Sequence, residues 1–259
     1  MIYKGVVFDF NGTLVWDTPY HNQAFDIFLE KHNIQLTDDE KTIKIHGKTN
    51  PDIMRGIFER ELTDKEIVDF SIEKESIYQQ LIMNDLHFAD GVVELFDFLK
   101  QHEIPFTIAT SSDFFNVDFY FREMNLARWF TPENVVYNDG TLKGKPEPDI
   151  FLRVAARLKL SPSELVIFED SKAGILAAER AGAGKIYIVD SIKDDDLIVS
   201  ILTEHEVMTT YRFYGARHSN INLGYKIDFE LENTKSTIPR LKDVIQLGFP
   251  WILDNEKMY

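Results

Sequence analysis

The sequence predicts an α/β protein: a parallel sheet covered by helices on both faces, with an all-helical segment inserted after the first strand. Three observations predict it. Apolar runs of strand length recur, and each ends in polar or small residues. Stretches with helical spacing of apolar residues lie between most of them. Strands that are apolar throughout, alternating with helices, belong to parallel sheets buried on both sides.

The first strand is Gly5 to Phe8, ending at Asp9. Residues 16–88 then carry no strand pattern. They read as a helix from Tyr20 to His32, a Thr37–Glu40 capping box, a helix from Asn50 to Leu62, and a second box, Thr63–Glu66, opening a long helix to about Leu86. Gly91 to Gln101 has a helical stripe at Val92, Leu95, Phe96 and Leu99. The second strand is Pro105 to Ala109, ending at Thr110-Ser111-Ser112-Asp113, and a short third is Val135 to Tyr137. Asp149 to Leu160 repeats the helical stripe with Ile150, Phe151, Val154, Ala155 and Leu158. Leu165 to Phe168 is a strand ending at Glu169-Asp170. Ala173 to Ala181 is a small-residue helix that Gly182 suits as a C-cap, and Lys185 to Val189 is the last strand of the sheet. Beyond it, Tyr225 to Leu231 alternates as a strand with one wet face, and Ile238 to Leu247 reads as a short helix with Pro239 in its first turn. The expected division is a core of residues 1–15 and 89–199, a helical cap of 16–88, and a C-terminal extension of 200–259 that carries no chemical motif.

Composition narrows the chemistry. The 259 residues, 44% hydrophobic, suffice for a large core. With no cysteine, disulfides, thiolate metal sites and Cys nucleophiles are excluded. A net charge of -15 repels nucleic acid and anionic membranes, so neither is an expected partner. No apolar run approaches a membrane span, and the opening MIYKGVVFDF lacks the marks of a secretory signal; a cytoplasmic location is expected.

In parallel α/β sheets, ligands sit beyond the carboxyl ends of the strands. Asp9 and Asn11 end the first strand, Thr110 and Ser111 the second, and Glu169 and Asp170 the fourth, while Lys145 follows the third. A carboxylate nucleophile, hydroxyls, an ammonium and an acidic pair suit Mg²⁺ and a phosphoryl group.

Four stretches, DFNGTL (Asp9 to Leu14), IATSS (Ile108 to Ser112), KGKPEPDIF (Lys143 to Phe151) and FEDSKAGILAA (Phe168 to Ala178), together resemble the haloacid dehalogenase superfamily, and within it the β-phosphoglucomutase-like phosphatases. In the inserted segment, DTPYHNQAF (Asp17 to Phe25), HGKTNPDIM (His46 to Met54) and KESIY (Lys74 to Tyr78) are similar to that subgroup's hinge, specificity loop and cap lysine. The resemblance implies a Rossmann-like core with a helical cap and Mg²⁺-dependent hydrolysis of a small phosphorylated metabolite. Asp9 would attack phosphorus to form an aspartyl-phosphate. Asn11 would bind Mg²⁺ through its backbone carbonyl, with Asp9, Asp170 and Glu169. Gly12, Thr13, Thr110 and Ser111 would hold phosphoryl oxygens, and Lys145 would pair with Asp9 and the phosphate. Lys74 would face substrate from the cap; a solvated helix face is its other reading. Thr110 and Ser111 could instead cap the helix near Asp113, and Glu169 and Asp170 the helix after them.

Asn11 departs from the pattern. Most phosphatases of the superfamily have there an Asp that protonates the leaving group and later activates water, a contribution of roughly 10²–10⁴-fold. An amide can do neither. Three readings follow: His21 substitutes, the leaving group needs no proton, or the protein is a weak enzyme or binder of phosphometabolites. Asn50 stands where sugar-phosphate members often carry Arg, which weakens the alternative of a bisphosphate-using mutase. Asp90 stands for a Pro. A dehalogenase would leave the acidic pair unused.

Overall fold

Strand β1 (Gly5–Phe8) is the centre of the molecule, and all four of its residues are buried. In the computed structural model of the chain, residues 3–45, 48–58, 60–89 and 91–189 are described, together with the backbones of two strands at 211–214 and 226–229. β1 lies between β2 (Phe106–Ile108) and β3 (Leu165–Glu169), and β4 (Lys185–Ile188) adds to the far side of β3, giving the parallel order β2-β1-β3-β4. Val7 stands opposite Thr107 on one side and Ile167 on the other.

The two-residue side-chain period sends alternate residues to opposite faces. Val6, Phe8, Val166 and Phe168 enter one apolar cluster, with Phe96, Leu99 and Tyr187. Val7, Leu165 and Ile167 enter a second, with Phe151, Val154 and Ala177. Both faces are therefore covered by helices, including α5 (Val92–Gln101), α6 (Phe114–Glu123), α7 (Asp149–Leu158) and α8 (Lys172–Ala181). Gly182, at φ +76°, ends α8 as a left-handed cap, which costs glycine no Cβ clash.

The expected strand at Val135 to Tyr137 is instead a single bridge between Ala109 and Val136. Thr110 N–H donates to Val136 O and Val136 N–H to Ile108 O, so one residue uses the edge of β2. On either side of it the backbone turns to other partners: Val135 O accepts from Arg157, and Asn138 N–H donates to Ser112 O.

Four helices follow β1: α1 (Thr18–Lys31), α2 (Asp38–Lys44), α3 (Asn50–Ile57) and α4 (Asp64–Ile82). Both predicted capping boxes are present, at Thr37 with Glu40 and Thr63 with Glu66. α3 stops at Ile57 rather than Leu62. Phe58 turns extended there, and its ring stacks on Phe70 of α4 at 4.6 Å. Phe25, Phe28, Ile53, Met54 and Ile67 form this block's own core. Ala24, Tyr78 and Ile82 pack instead into the cluster on the sheet, so α1 and α4 join the block to it.

In the C-terminal stretch, β5 (Tyr211–Tyr214) pairs antiparallel with β6 (Lys226–Phe229), inside the run expected to be a strand. The helix expected at Ile238 to Leu247 lies outside the described residues.

Candidate active site

The chain leaves β1 at Asp9, whose N–H donates to Phe168 O and so ties it to β3. Gly12 then turns at φ +80°. A Cβ there would meet Asp170 Oδ2 at 2.1 Å, so only glycine lets that carboxylate lie against the turn. Thr13 Oγ1 donates to Asp170 Oδ1 at 3.2 Å. Lys145 reaches across from the segment before α7. Its ammonium donates to Asp9 Oδ1 at 2.6 Å and to Glu169 Oε2 at 2.9 Å, with all three groups buried. Glu169 packs against Gly174, where a Cβ would lie 1.8 Å from Oε1, and accepts from Ser171 Oγ at 2.5 Å.

Asp9, Glu169 and Asp170 place one carboxylate oxygen each within 4.8 Å of one another. Burial, then the charge of Glu169, push the Asp9 carboxyl up to about 8, although Lys145 pulls it down. Burial, then the charges of Glu169 and Asp9, push Asp170 well above the usual carboxylate range. Burial works against the Lys145 charge, but Asp9 and Glu169 outweigh it and hold the ammonium above its ordinary value. Three carboxyl groups share one ammonium, with Asp9 and Glu169 buried and Asp170 half-buried, so a further cation there would favour their ionised forms. All the donors are hard oxygens, so the set fits Mg²⁺ rather than a softer metal.

Asn11 is the next polar side chain, and both ends of its amide are engaged. Nδ2 donates to Asp17 Oδ2 at 2.5 Å and to Tyr120 OH at 2.8 Å. Oδ1 accepts from Ser112 Oγ at 2.8 Å and from Thr110 Oγ1 at 3.4 Å. Thr110 is buried and Ser111 half-buried in the loop after β2. The capping alternatives fail in both loops: Asp113 caps α6 by accepting from Asn116 N–H, and Ser171 caps α8 by accepting from Gly174 N–H.

His21, on α1, lies 3.3 Å from Asn11 Nδ2 through Nε2, and its ring stacks on Tyr78 at 3.8 Å. Its Nδ1 faces the Lys74 ammonium at 2.9 Å. Lys74 is buried, not on a solvated face, because its ammonium also pairs with Glu75 at 2.9 Å and lies 4.3 Å from the Phe25 ring centre. Asn50 donates to Glu75 Oε1 at 2.7 Å and Asp113 Oδ2 at 3.3 Å, bridging helical block and core. Thus the predicted residues converge, but Lys74 and Asn50 are committed to protein partners.

The family profile described as haloacid dehalogenase-like hydrolase matches residues 3–182. The chain belongs to the haloacid dehalogenase-like hydrolase family. Among relatives, a phosphorylated carbohydrates phosphatase of Thermotoga maritima is 28% identical over 195 residues, covering 74% of this chain and 88% of that protein. The β-phosphoglucomutase of Bacillus subtilis is 30% identical over 187 residues, covering 69% and 80%. Among solved structures, a haloacid dehalogenase family IA variant 3 hydrolase from Entamoeba histolytica matches with a TM-score of 0.64 and 38% identity, covering 73% of this chain and 84% of that one. A second profile, RecO N terminal, matches residues 183–252, which take in β4 and most of the C-terminal stretch.

For three residues of this hydrolase's cleft the sequence assigns no role in the site. Asp17 was visible only as part of a hinge-like stretch, yet it is fully buried under Asn11. Glu75 is buried beside Lys74 and accepts from Asn116 Nδ2 at 2.7 Å. Tyr120 meets Tyr78 at 3.1 Å across 42 positions of chain, a pairing set by tertiary packing alone.

Proposed function

We propose that this hydrolase removes a phosphoryl group from a small phosphorylated metabolite through an aspartyl-phosphate on Asp9, with Mg²⁺ as cofactor. The observation that supports it best is the buried contact of the Lys145 ammonium with Asp9 and Glu169, beside Asp170 and the Gly12 turn. Asp9, Asp170, Glu169 and the Asn11 backbone carbonyl would hold Mg²⁺, which supplies positive charge to the phosphoryl oxygens when bound. Lys145 neutralises Asp9 as the phosphate approaches, which allows an anion to attack an anion. Ser111 and the Thr110 hydroxyl would offer donors to the transferring oxygens, while the Gly12 N–H is held by Asp17 and the Thr13 hydroxyl by Asp170, so those two would shape the turn around the phosphate. The block α1–α4 serves as the cap that excludes water during the first transfer.

The geometry bears on how the leaving group departs. Lys74 donates to His21 Nδ1 at 2.9 Å, and Nε2 lies 3.3 Å from Asn11 Nδ2 and 3.6 Å from Asp17 Oδ2. Both ring nitrogens face protein groups, so neither is open to a leaving group at the cleft. His21 is therefore a poor substitute for the missing acid, and substrates whose leaving groups depart as stable anions are favoured. Glu75 and Asp113 beside Asn50 repel a second phosphate, which favours hydrolysis over mutase chemistry.

The test is a Mg²⁺-supplemented panel of acetyl phosphate, p-nitrophenyl phosphate and hexose monophosphates, which includes the substrate class named for the Thermotoga relative. Turnover is expected on the first two, with hexose phosphates slower by about 10²–10⁴-fold. Asp9→Asn is expected to abolish all of it; activity that survives Asp9→Asn would refute the proposal.

A further inference from the structure

We propose that Asp17 is a positioning residue: it fixes the Asn11 amide with its carbonyl oxygen towards the loop after β2, as the group that orients the attacking water. This rests on the phosphohydrolase reading above and deepens it. Asp17 precedes α1, and its carboxylate is fully buried. Its Oδ1 accepts from Gly12 N–H at 3.1 Å, and its Oδ2 accepts from Tyr78 OH at 2.6 Å and from Asn11 Nδ2 at 2.5 Å. The carboxylate is thus pinned from the turn after β1 and from α4.

Against that pinned acceptor, the amide has one stable orientation. Both hydrogens of Nδ2 are used, on Asp17 and Tyr120. A flip would set Oδ1 against the Asp17 carboxylate, two acceptors with no hydrogen between them, in a buried place. Oδ1 therefore stays towards Ser112 and Thr110, in the loop proposed to hold the phosphoryl group. An amide carbonyl there accepts a hydrogen bond from water and aims the water oxygen at phosphorus, as a glutamine does in GTP hydrolysis; the new O–P bond replaces the Asp9 O–P bond, Asp9 leaves as a carboxylate, and the water proton goes to the departing phosphate. The acid absent from position 11 is present one layer deeper, where it acts through the amide instead of on the substrate.

The inference places the effect of Asp17 on the second step, attack of water on the aspartyl-phosphate. The experiment is steady-state and rapid-mixing kinetics with p-nitrophenyl phosphate and Mg²⁺ for the parent, Asp9→Asn, Asp17→Asn, Asn11→Asp and the Asn11→Asp/Asp17→Asn double variant. Asp17→Asn is expected to lower kcat by about ten- to a hundredfold and KM with it, leaving kcat/KM within about twofold, because only the second step slows. It is expected to retain a burst of nitrophenol, because the first transfer to Asp9 does not use the water. The double variant, with an amide at 17 donating to a carboxylate at 11, is expected to exceed Asn11→Asp alone, in which two carboxylates face each other. That comparison stands even if Asp17→Asn does not fold. The proposal alone is overturned if Asp17→Asn slows burst and steady state equally or changes neither, or if Asn11→Asp matches the double variant. If the parent is no faster than Asp9→Asn, the phosphohydrolase reading falls and takes this one with it.

Discussion

Single residues decide whether the carboxylates can share one cation. Gly12 and Gly140 both have φ +80°, a region that costs other L-residues about 1–2 kcal/mol. Their surroundings differ: a Cβ on Gly12 would strike Asp170, and one on Gly140 would meet nothing within 4 Å. Gly12→Ala and Gly140→Ala are thus expected to lose comparable stability from backbone strain, but only Gly12→Ala loses activity, by about a hundredfold or more. Chemical denaturation with assays on both variants checks it; equal activity in the two would show that Asp170 need not lie on the turn. At this scale the strand-end residues were legible, since their types and order already specify phosphate chemistry. Lys74 was not, because a lysine on an amphipathic helix gives no sign that a neighbouring glutamate and a histidine from α1 will bury it. Asp17 escaped for a similar reason: its partners Tyr78 and Asn11 meet it only after α4 has packed on the sheet.

Among the elements, α4 joins helical block to core through a buried charge. Glu75 accepts from Lys74 on its own helix, Asn50 of α3 and Asn116 of α6, and feels His21 of α1. Burial pushes its carboxyl up, but Lys74, then His21, then the hydrogen bonds outweigh it and hold it down to about 2. Asp113, across Asn50, moves the other way, raised by burial and by Glu75 itself. The sign follows from linkage: a carboxyl lower in the folded than in the unfolded chain stabilises above its ordinary value of 4.5, and that contribution fades as pH falls towards 2. Urea midpoints between pH 5 and pH 2.5 are expected to fall more steeply for the parent than for Glu75→Gln. At pH 7 the variant is expected to be less stable by about 3–5 kcal/mol, because it leaves the Lys74 ammonium buried without its counter-charge. Parallel acid limbs would remove Glu75 from the joint. The helices themselves were readable from stripes and capping boxes. Their ends were less so, since the stop of α3 depends on the Phe58 ring finding Phe70, a contact between separate helices.

For the molecule as a whole, the largest unbalanced feature is electrostatic. The chain carries a net charge of -15, and the cluster at the strand ends sets three carboxylates, two of them buried, against one lysine. The order of motifs along the chain made this convergence readable, because parallel strands bring their carboxyl ends to one edge of the sheet. An inserted helical block after β1 was also expected, but the pairs that fix it to the core, such as Tyr78 with Tyr120 and Gln79 with Asn116, were not. If the cluster is a cation site, folding and metal binding are linked. At a Mg²⁺ concentration a hundredfold above its dissociation constant, the folded state gains about 2.7 kcal/mol. In a chain of this size that corresponds to a rise in Tm of about 5–10 °C. Sodium chloride at equal ionic strength screens the general repulsion, and is expected to reproduce little of this shift. Asp170→Asn separates the local effect from the general one by opposite signs: removing one of three crowded carboxylates raises Tm without Mg²⁺ and abolishes the rise with it. A variant that still gains several degrees from Mg²⁺ would place the cation elsewhere on this acidic protein.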